Sequence, residues 1–242
     1  MRDALRIDER SLGSVHPELA IDLNNLAVLL QRTGRLDEAE PLMRRALEID
    51  EICLGLEHPN VAIRLSNLAQ LLQATNRPAE SELLMRRALE IGEKSLGPEH
   101  PSVATRLNNL AQLLKATTRL SEAEELTRRA LQIDQKSLGL EHPNVAHDLN
   151  NLGRLLWETK RPHEAEPLLR RALGILLVAS RPWAGGVSGL GPLLTNYRRV
   201  LRALGHDADR VEAKVREVAV AAGYSPEEFQ RLVERLKEFV PE

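Results

Sequence analysis

The sequence predicts an all-α fold, a solenoid of stacked antiparallel helix pairs ending in a C-terminal capping helix. Three observations predict it. The pair His-Pro recurs at His16-Pro17, His58-Pro59, His100-Pro101 and His142-Pro143, always 42 residues apart. A second text recurs in step: Leu23-Asn24-Asn25-Leu26-Ala27, Leu65-Ser66-Asn67-Leu68-Ala69, Leu107-Asn108-Asn109-Leu110-Ala111 and Leu149-Asn150-Asn151-Leu152-Gly153, with Arg-Arg-Ala-Leu following at Arg44, Arg86, Arg128 and Arg170. Finally, all six aromatic residues lie beyond residue 156. The first two-thirds must therefore pack on Leu, Ala, Ile and Val, which suits helices held close by small residues and suits a β-sandwich poorly. A fixed long period is the signature of a repeat array.

The elements follow in chain order. Residues 4–15 align with 46–57 at the same offset, so residues 1–15 read as the second half of an earlier repeat. A start inside a unit is expected of a fragment of a longer protein. Repeats follow at 16–57, 58–99, 100–141 and 142–177. In each, Pro17 or its equivalent sits at a first helical position, where its missing N–H is not needed. Leu23, Leu26, Ala27 and Leu30 then keep the i, i+3, i+4, i+7 stripe of a helix face. Gly34 suits the positive φ of a helix end. The second helix starts near Asp37 and buries Ala39, Met43, Ala46 and Ile49, with Gly55, Gly97 and Gly139 as stops. Its Glu40–Arg44, Glu82–Arg86, Glu124–Arg128 and Glu166–Arg170 pairs read as solvated charges, each contributing about 0.2–0.5 kcal/mol. The period also fits a three-helix armadillo unit. Yet the 36–54 segment has no Gly, and Pro41 and Pro167 give way to Leu83 and Glu125 elsewhere; two helices fit better.

Gly34-Arg35-Leu36-Asp37-Glu38-Ala39-Glu40, followed by Arg45-Ala46-Leu47-Glu48-Ile49, resembles the tetratricopeptide repeat. The lengthened unit with His-Pro and Leu-Asn-Asn-Leu-Ala is similar to the repeats of kinesin light chains and their bacterial relatives. The likeness covers residues 1 to about 177 well and the remainder weakly. It implies a right-handed superhelix whose first helices line a concave groove, and a protein that binds partners and performs no catalysis. Asn76, Thr118 and Lys160 depart from the turn Gly, and β-branched Thr118 predicts a different turn in its unit.

Register fails after Ile175. Residues 178–189 read as a Gly- and Pro-rich connector; no Gly-Lys-Ser/Thr follows to make it a phosphate loop. Leu194-Thr195-Asn196-Tyr197 opens a degenerate fifth repeat over 190–222. Ser225-Pro226-Glu227-Glu228 is a capping box with Pro at the first helical position. It opens a capping helix over 225–240 that aligns Phe229, Leu232, Val233, Leu236 and Val240 on one face.

Composition narrows function by exclusion. A formal charge of −2 gives no general attraction to nucleic acid. The charged N-terminus is no signal peptide, and no apolar run approaches the roughly 18 residues of a membrane span; the expectation is a cytoplasmic protein without membrane contact. A single cysteine, Cys53, excludes an intrachain disulfide framework and any multi-cysteine zinc site. Four of the seven histidines are helix-start markers. His147, His163 and His206 lack partners at ligand spacing, so neither a catalytic residue, a metal nor a cofactor is expected.

Asparagine recurs instead. Asn25, Asn67, Asn109, Asn151 and Asn196 hold the same place on successive first helices, which the resemblance puts in the groove. An amide both donates and accepts, so such a ladder can pair with the backbone of an extended peptide; equally, each Asn can bond a neighbouring helix and stabilise the stack. The predicted peptide groove comprises Asn25, Arg32, Asn67, Gln70, Asn109, Gln112, Lys115, His147, Asn151, Arg154 and Trp157. Arg32, Lys115 and Arg154 make it mildly basic, and kinesin light chains take peptides with a tryptophan flanked by acidic residues, so an acidic ligand is expected. The alternative is a structural solenoid that self-associates end to end around Leu5 and Ile7. RNA binding and catalysis rank below both.

Overall fold

The protein is all-helical. The structure, a computed structural model, describes residues 13–181 and 189–238; Leu5, Ile7, most of the leading half-repeat, the centre of the connector and Val240 lie outside these. Two compact units divide the chain, Met1–Arg119 and Leu120–Glu242.

In the first unit, α1 (Pro17–Arg32) pairs with α2 (Leu36–Leu54), α3 (Pro59–Ala74) pairs with α4 (Pro78–Leu96), and α5 (Pro101–Ala116) packs on α4. Each odd helix starts at a histidine whose Nδ1 accepts a backbone N–H: from Glu18 onto His16 at 3.3 Å, Asn60 onto His58 at 3.2 Å, and Ser102 onto His100 at 3.1 Å. The His-Pro pair is thus a complete start signal. The ring caps an orphan donor, and proline fills a position that needs none. Short turns then force the next helix back alongside. Leu19, Ala20, Leu23, Ala46 and Ile49 form one buried layer, and Val61, Ala62, Leu65, Ala88 and Ile91 the equivalent layer of the next repeat. Alanines fully removed from solvent bring the axes close. Ser81 takes an alanine's place at one contact and donates to the Ala69 carbonyl at 2.7 Å.

The first-to-second-helix turns are alike where a difference was expected. Thr118 has φ 64°, beside 59° for Asn76, 63° for Lys160 and 77° for Gly34. Thr118 therefore makes the same left-handed turn as its counterparts. The reason is local: Arg119 N still donates to the Leu114 carbonyl at 2.9 Å, as Arg35 does to Leu30, also at 2.9 Å. Closing that loop outweighs the roughly 1–2 kcal/mol that a side chain costs in this region.

In the second unit, α6 (Leu120–Leu138), α7 (Pro143–Glu158) and α8 (Pro162–Ser180) continue the pattern, followed by α9 (Leu190–Ala203), α10 (Ala208–Ala221) and α11 (Pro226–Glu238). One continuous core runs from Val145 to Leu232 and takes in Tyr197, fully buried, as well as Phe229. The capping box at the start of α11 forms both ways: Glu228 N donates to Ser225 Oγ at 3.2 Å, and Ser225 N to Glu228 Oε2 at 2.8 Å. Tyr224 ties this helix down. Its ring meets Phe229 edge-on at 6.4 Å, and its hydroxyl lies 2.8 Å from Ser180 Oγ.

Arg77, Arg119 and Arg161, each just ahead of a second helix, reach back to the second helix before it. Arg77 bonds Glu40 at 2.8 Å and also Glu80, while Arg44 bonds Glu80 at 2.6 Å. Arg119 repeats the contact on Glu82 at 2.7 Å, and Arg161 on Glu124 at 2.7 Å. The Glu40 carboxyl is partly desolvated, which raises its pKa; hydrogen bonds from Arg77 and Arg44 more than offset this and hold it below the ordinary range. The glutamates expected to act only within their own helix therefore also stitch repeats together.

Candidate functional site

On the first helices, apolar residues at every third or fourth place face the second helices, which leaves the asparagine pair at the edge of the core. The two members differ. Asn24 is buried, whereas Asn25 is exposed. In the first unit Asn67 Nδ2 donates to Asn24 Oδ1 at 2.9 Å, and in the second Asn196 Nδ2 donates to Asn150 Oδ1 at 2.9 Å. The second asparagine of one repeat thus bonds the first asparagine of the repeat before it. Asn109 has no such acceptor within its unit, because Ser66 stands where an Asn would be. The Ser66 hydroxyl turns back onto the Ala62 carbonyl at 2.8 Å, a habit of serine inside helices. The side chains of Asn25, Asn109 and Asn151 have no hydrogen-bond partner within their own units among the described residues.

The predicted residues gather at two places. In the first unit Asn67, Gln70 and Asn109 line a cavity of about 450 Å³ between α3 and α5, together with Ser66, Ser102, Thr105 and Arg106 on the polar side and Pro59, Ile63 and Leu96 on the apolar side. In the second, Arg154 and Asn196 line a cavity of about 480 Å³ bounded by Leu194 and by Val233 and Leu236 of the capping helix. Arg154 Nε is buried there without an acceptor. Arg32 and Gln112 are exposed and outside both cavities. Lys115 is half-buried. His147 is half-buried and packed close against Gly189, where an added Cβ would come within 2.7 Å of its ring; burial lowers its pKa. Trp157 packs on the core of its unit. These last two support packing at least as much as they offer surface.

One further column is not evident from the sequence alone. Asp50 of α2 and Arg64 of α3, with 1% and 7% exposure, form a buried ion pair at 2.8 Å. One period later the same place holds Gly92 and Arg106; a further period on, in the second unit, it holds Asp134 and Asp148. Burial raises the Asp134 pKa, partly offset by His142 and by a hydrogen bond with Asp148. The available signal was a spacing of 14 between charged positions that vary in step with the repeat.

A family model for the tetratricopeptide repeat matches residues 1–52, 21–94, 65–136 and 113–177. The chain belongs to the tetratricopeptide repeat family. This family is a non-catalytic interaction fold that mediates contacts between proteins. No curated protein matches this repeat chain. Among solved structures it is similar to BtubC (BKLC) from P. vanneervenii, with 28% identity over 93% of this chain and 89% of that one and a TM-score of 0.72. It is also similar to the nearly identical TPR-like repeats of a candidate kinesin light chain from Podosopora anserina, with 26% identity over 87% and 99% of the two chains and a TM-score of 0.69. Pseudomonas aeruginosa pilF, at 20% identity, 92% and 96% coverage and a TM-score of 0.53, shares the fold alone. Among the described residues of this repeat protein, no three His, Cys, Asp or Glu cluster to hold a metal, and no helix is long and apolar enough to cross a membrane.

Proposed function

We propose that the chain captures an extended segment of a partner protein along its first helices. The observation that carries this is the cavity between α3 and α5, where Asn67, Gln70 and the unpartnered Asn109 present amides beside Ile63 and Leu96. Its volume falls within the range of about 300–1,000 Å³ usual for ligand sites. Amides that donate and accept suit a peptide backbone whatever its side chains. Arg154 and Asn196 offer a comparable lining in the second unit, and similarity to kinesin-light-chain-like repeats agrees with the reading.

Photo-crosslinking tests it. A benzoylphenylalanine replacing Gln70 or Thr105 is expected to form adducts with one partner, and the same group at Leu83, exposed on a second helix, is expected not to. Adducts from Leu83 alone would move the binding surface to the second helices. An acidic ligand should also show affinity that falls as salt is added.

A further inference from the structure

Among the described residues, Arg106 is a cation buried without a counter-charge. It is 8% exposed, nearly the same as Arg64 at 7%. Arg64 Nε meets the Asp50 carboxylate; the matching place opposite Arg106 is Gly92, which has no side chain. A Cβ built on Gly92 would sit 3.2 Å from Arg106 Cδ and 3.3 Å from Nε, so the guanidinium lies flat over that glycine. Of its five N–H donors, one is in use: Nη1 donates to the Ser102 carbonyl at 2.8 Å, and Nε has no acceptor. Burial lowers the Arg106 pKa, and no neighbouring charge offsets this. A buried charge without a partner is costly, and here it lines a cavity bounded otherwise by neutral amides, hydroxyls, His100 and apolar side chains, with no carboxylate among the described lining.

We propose that Arg106, with the amides of Asn109 and Gln70, is an anion subsite that takes a carboxylate side chain of the bound peptide, the ligand supplying the counter-charge that Gly92 omits. The proposal rests on the peptide-groove reading. A planar guanidinium matches a carboxylate's two oxygens, and amides beside it hold the peptide on either side of that residue.

The test uses the whole chain, ¹⁵N-labelled, titrated with acetyl-Gly-Glu-Gly-amide, acetyl-Gly-Gln-Gly-amide and inorganic phosphate, reading the Arg106 Nε–H and the Asn109 side-chain amide by NMR. The glutamate peptide is expected to shift both signals and to bind about tenfold more tightly than the glutamine peptide, the size of one charge-assisted hydrogen bond. Gly92→Asp, which builds the in-chain partner that Asp50 provides for Arg64, should weaken the glutamate peptide about tenfold. Arg106→Gln gives the same loss without altering Gly92. Equal affinity for the two peptides, with Asn109 shifting, overturns the subsite and leaves the groove reading standing. Phosphate shifting Arg106 while neither peptide does shows a free-anion site and overturns a peptide carboxylate. A response to none of the probes, or full affinity in folded Gly92→Asp and Arg106→Gln, overturns the proposal as well.

Discussion

Asp50 with Arg64 in the first unit and Asp134 with Asp148 in the second occupy the same place in the repeat, 84 residues apart. All four residues of the two pairs are buried. One is a complementary ion pair, the other two acids that share a hydrogen bond. The helices around them keep the same length and spacing in both places, α2 and α6 at 19 residues, α3 and α7 at 16. Apolar layers and small residues therefore set the repeat geometry, and the charged position is left to modulate each junction's strength.

Breaking this contrast should give the largest effect where charge is left uncompensated. Asp50→Ala strands Arg64, and removing one member of a buried pair costs about 3–5 kcal/mol; denaturant unfolding checks this, and a loss below 1 kcal/mol would mean that water already reaches the pair. Asp134→Asn should act in the opposite direction. Because the Asp134 pKa is raised on folding, its contribution is fully present below the ordinary Asp value of about 3.9 and is lost as pH rises through the folded value. The variant should thus gain on wild type between mildly acidic and neutral pH, seen as a widening difference in melting temperature. Parallel melts at all pH values would show that the dyad does not titrate there.

Smaller effects sharpen the same comparison. Thr118→Gly removes a left-handed β-branched residue and should raise stability by about 1 kcal/mol, since the strain relieved exceeds the entropy glycine adds. Asn67→Ala deletes a bond to the buried Asn24 and should cost about 1 kcal/mol, whereas Asn109→Ala, with no such bond to lose, should change stability by less than about 0.5 kcal/mol. Equal losses at the two positions would erase the distinction between the stacking and the open asparagines.

Much of this is legible in the sequence. The stripes Leu23, Leu26, Ala27 and Leu30, then Ala39, Met43, Ala46 and Ile49, are buried as periodicity requires, because each lies on one helix and its spacing can be counted. The asparagine column was equally visible, but not its division of labour. Asn67 and Asn196 each find an Asn in the repeat before, whereas Ser66 stands in that place for Asn109, so the difference lies in contacts across 43 or 46 residues. The Asp50–Arg64 junction escaped for a related reason: each partner alone reads as one more charge near a helix end. Arg77, Arg119 and Arg161 likewise read as turn residues, since only packing brings them to the glutamates of the helix before.

Because each junction joins one repeat to the next at a fixed interval, the order of the units is itself constrained. Excising residues 58–99 would remove Arg64, Ser66 and Gly92 together and set Asp50 before Arg106 and Asn24 before Asn109, so that both polar seams heal. Duplicating the same stretch would set Gly92 before a second Arg64 and add another uncompensated cation. The repeats are thus keyed, like plugs that accept some sockets and refuse others, and shortening the array is permitted where lengthening it is penalised.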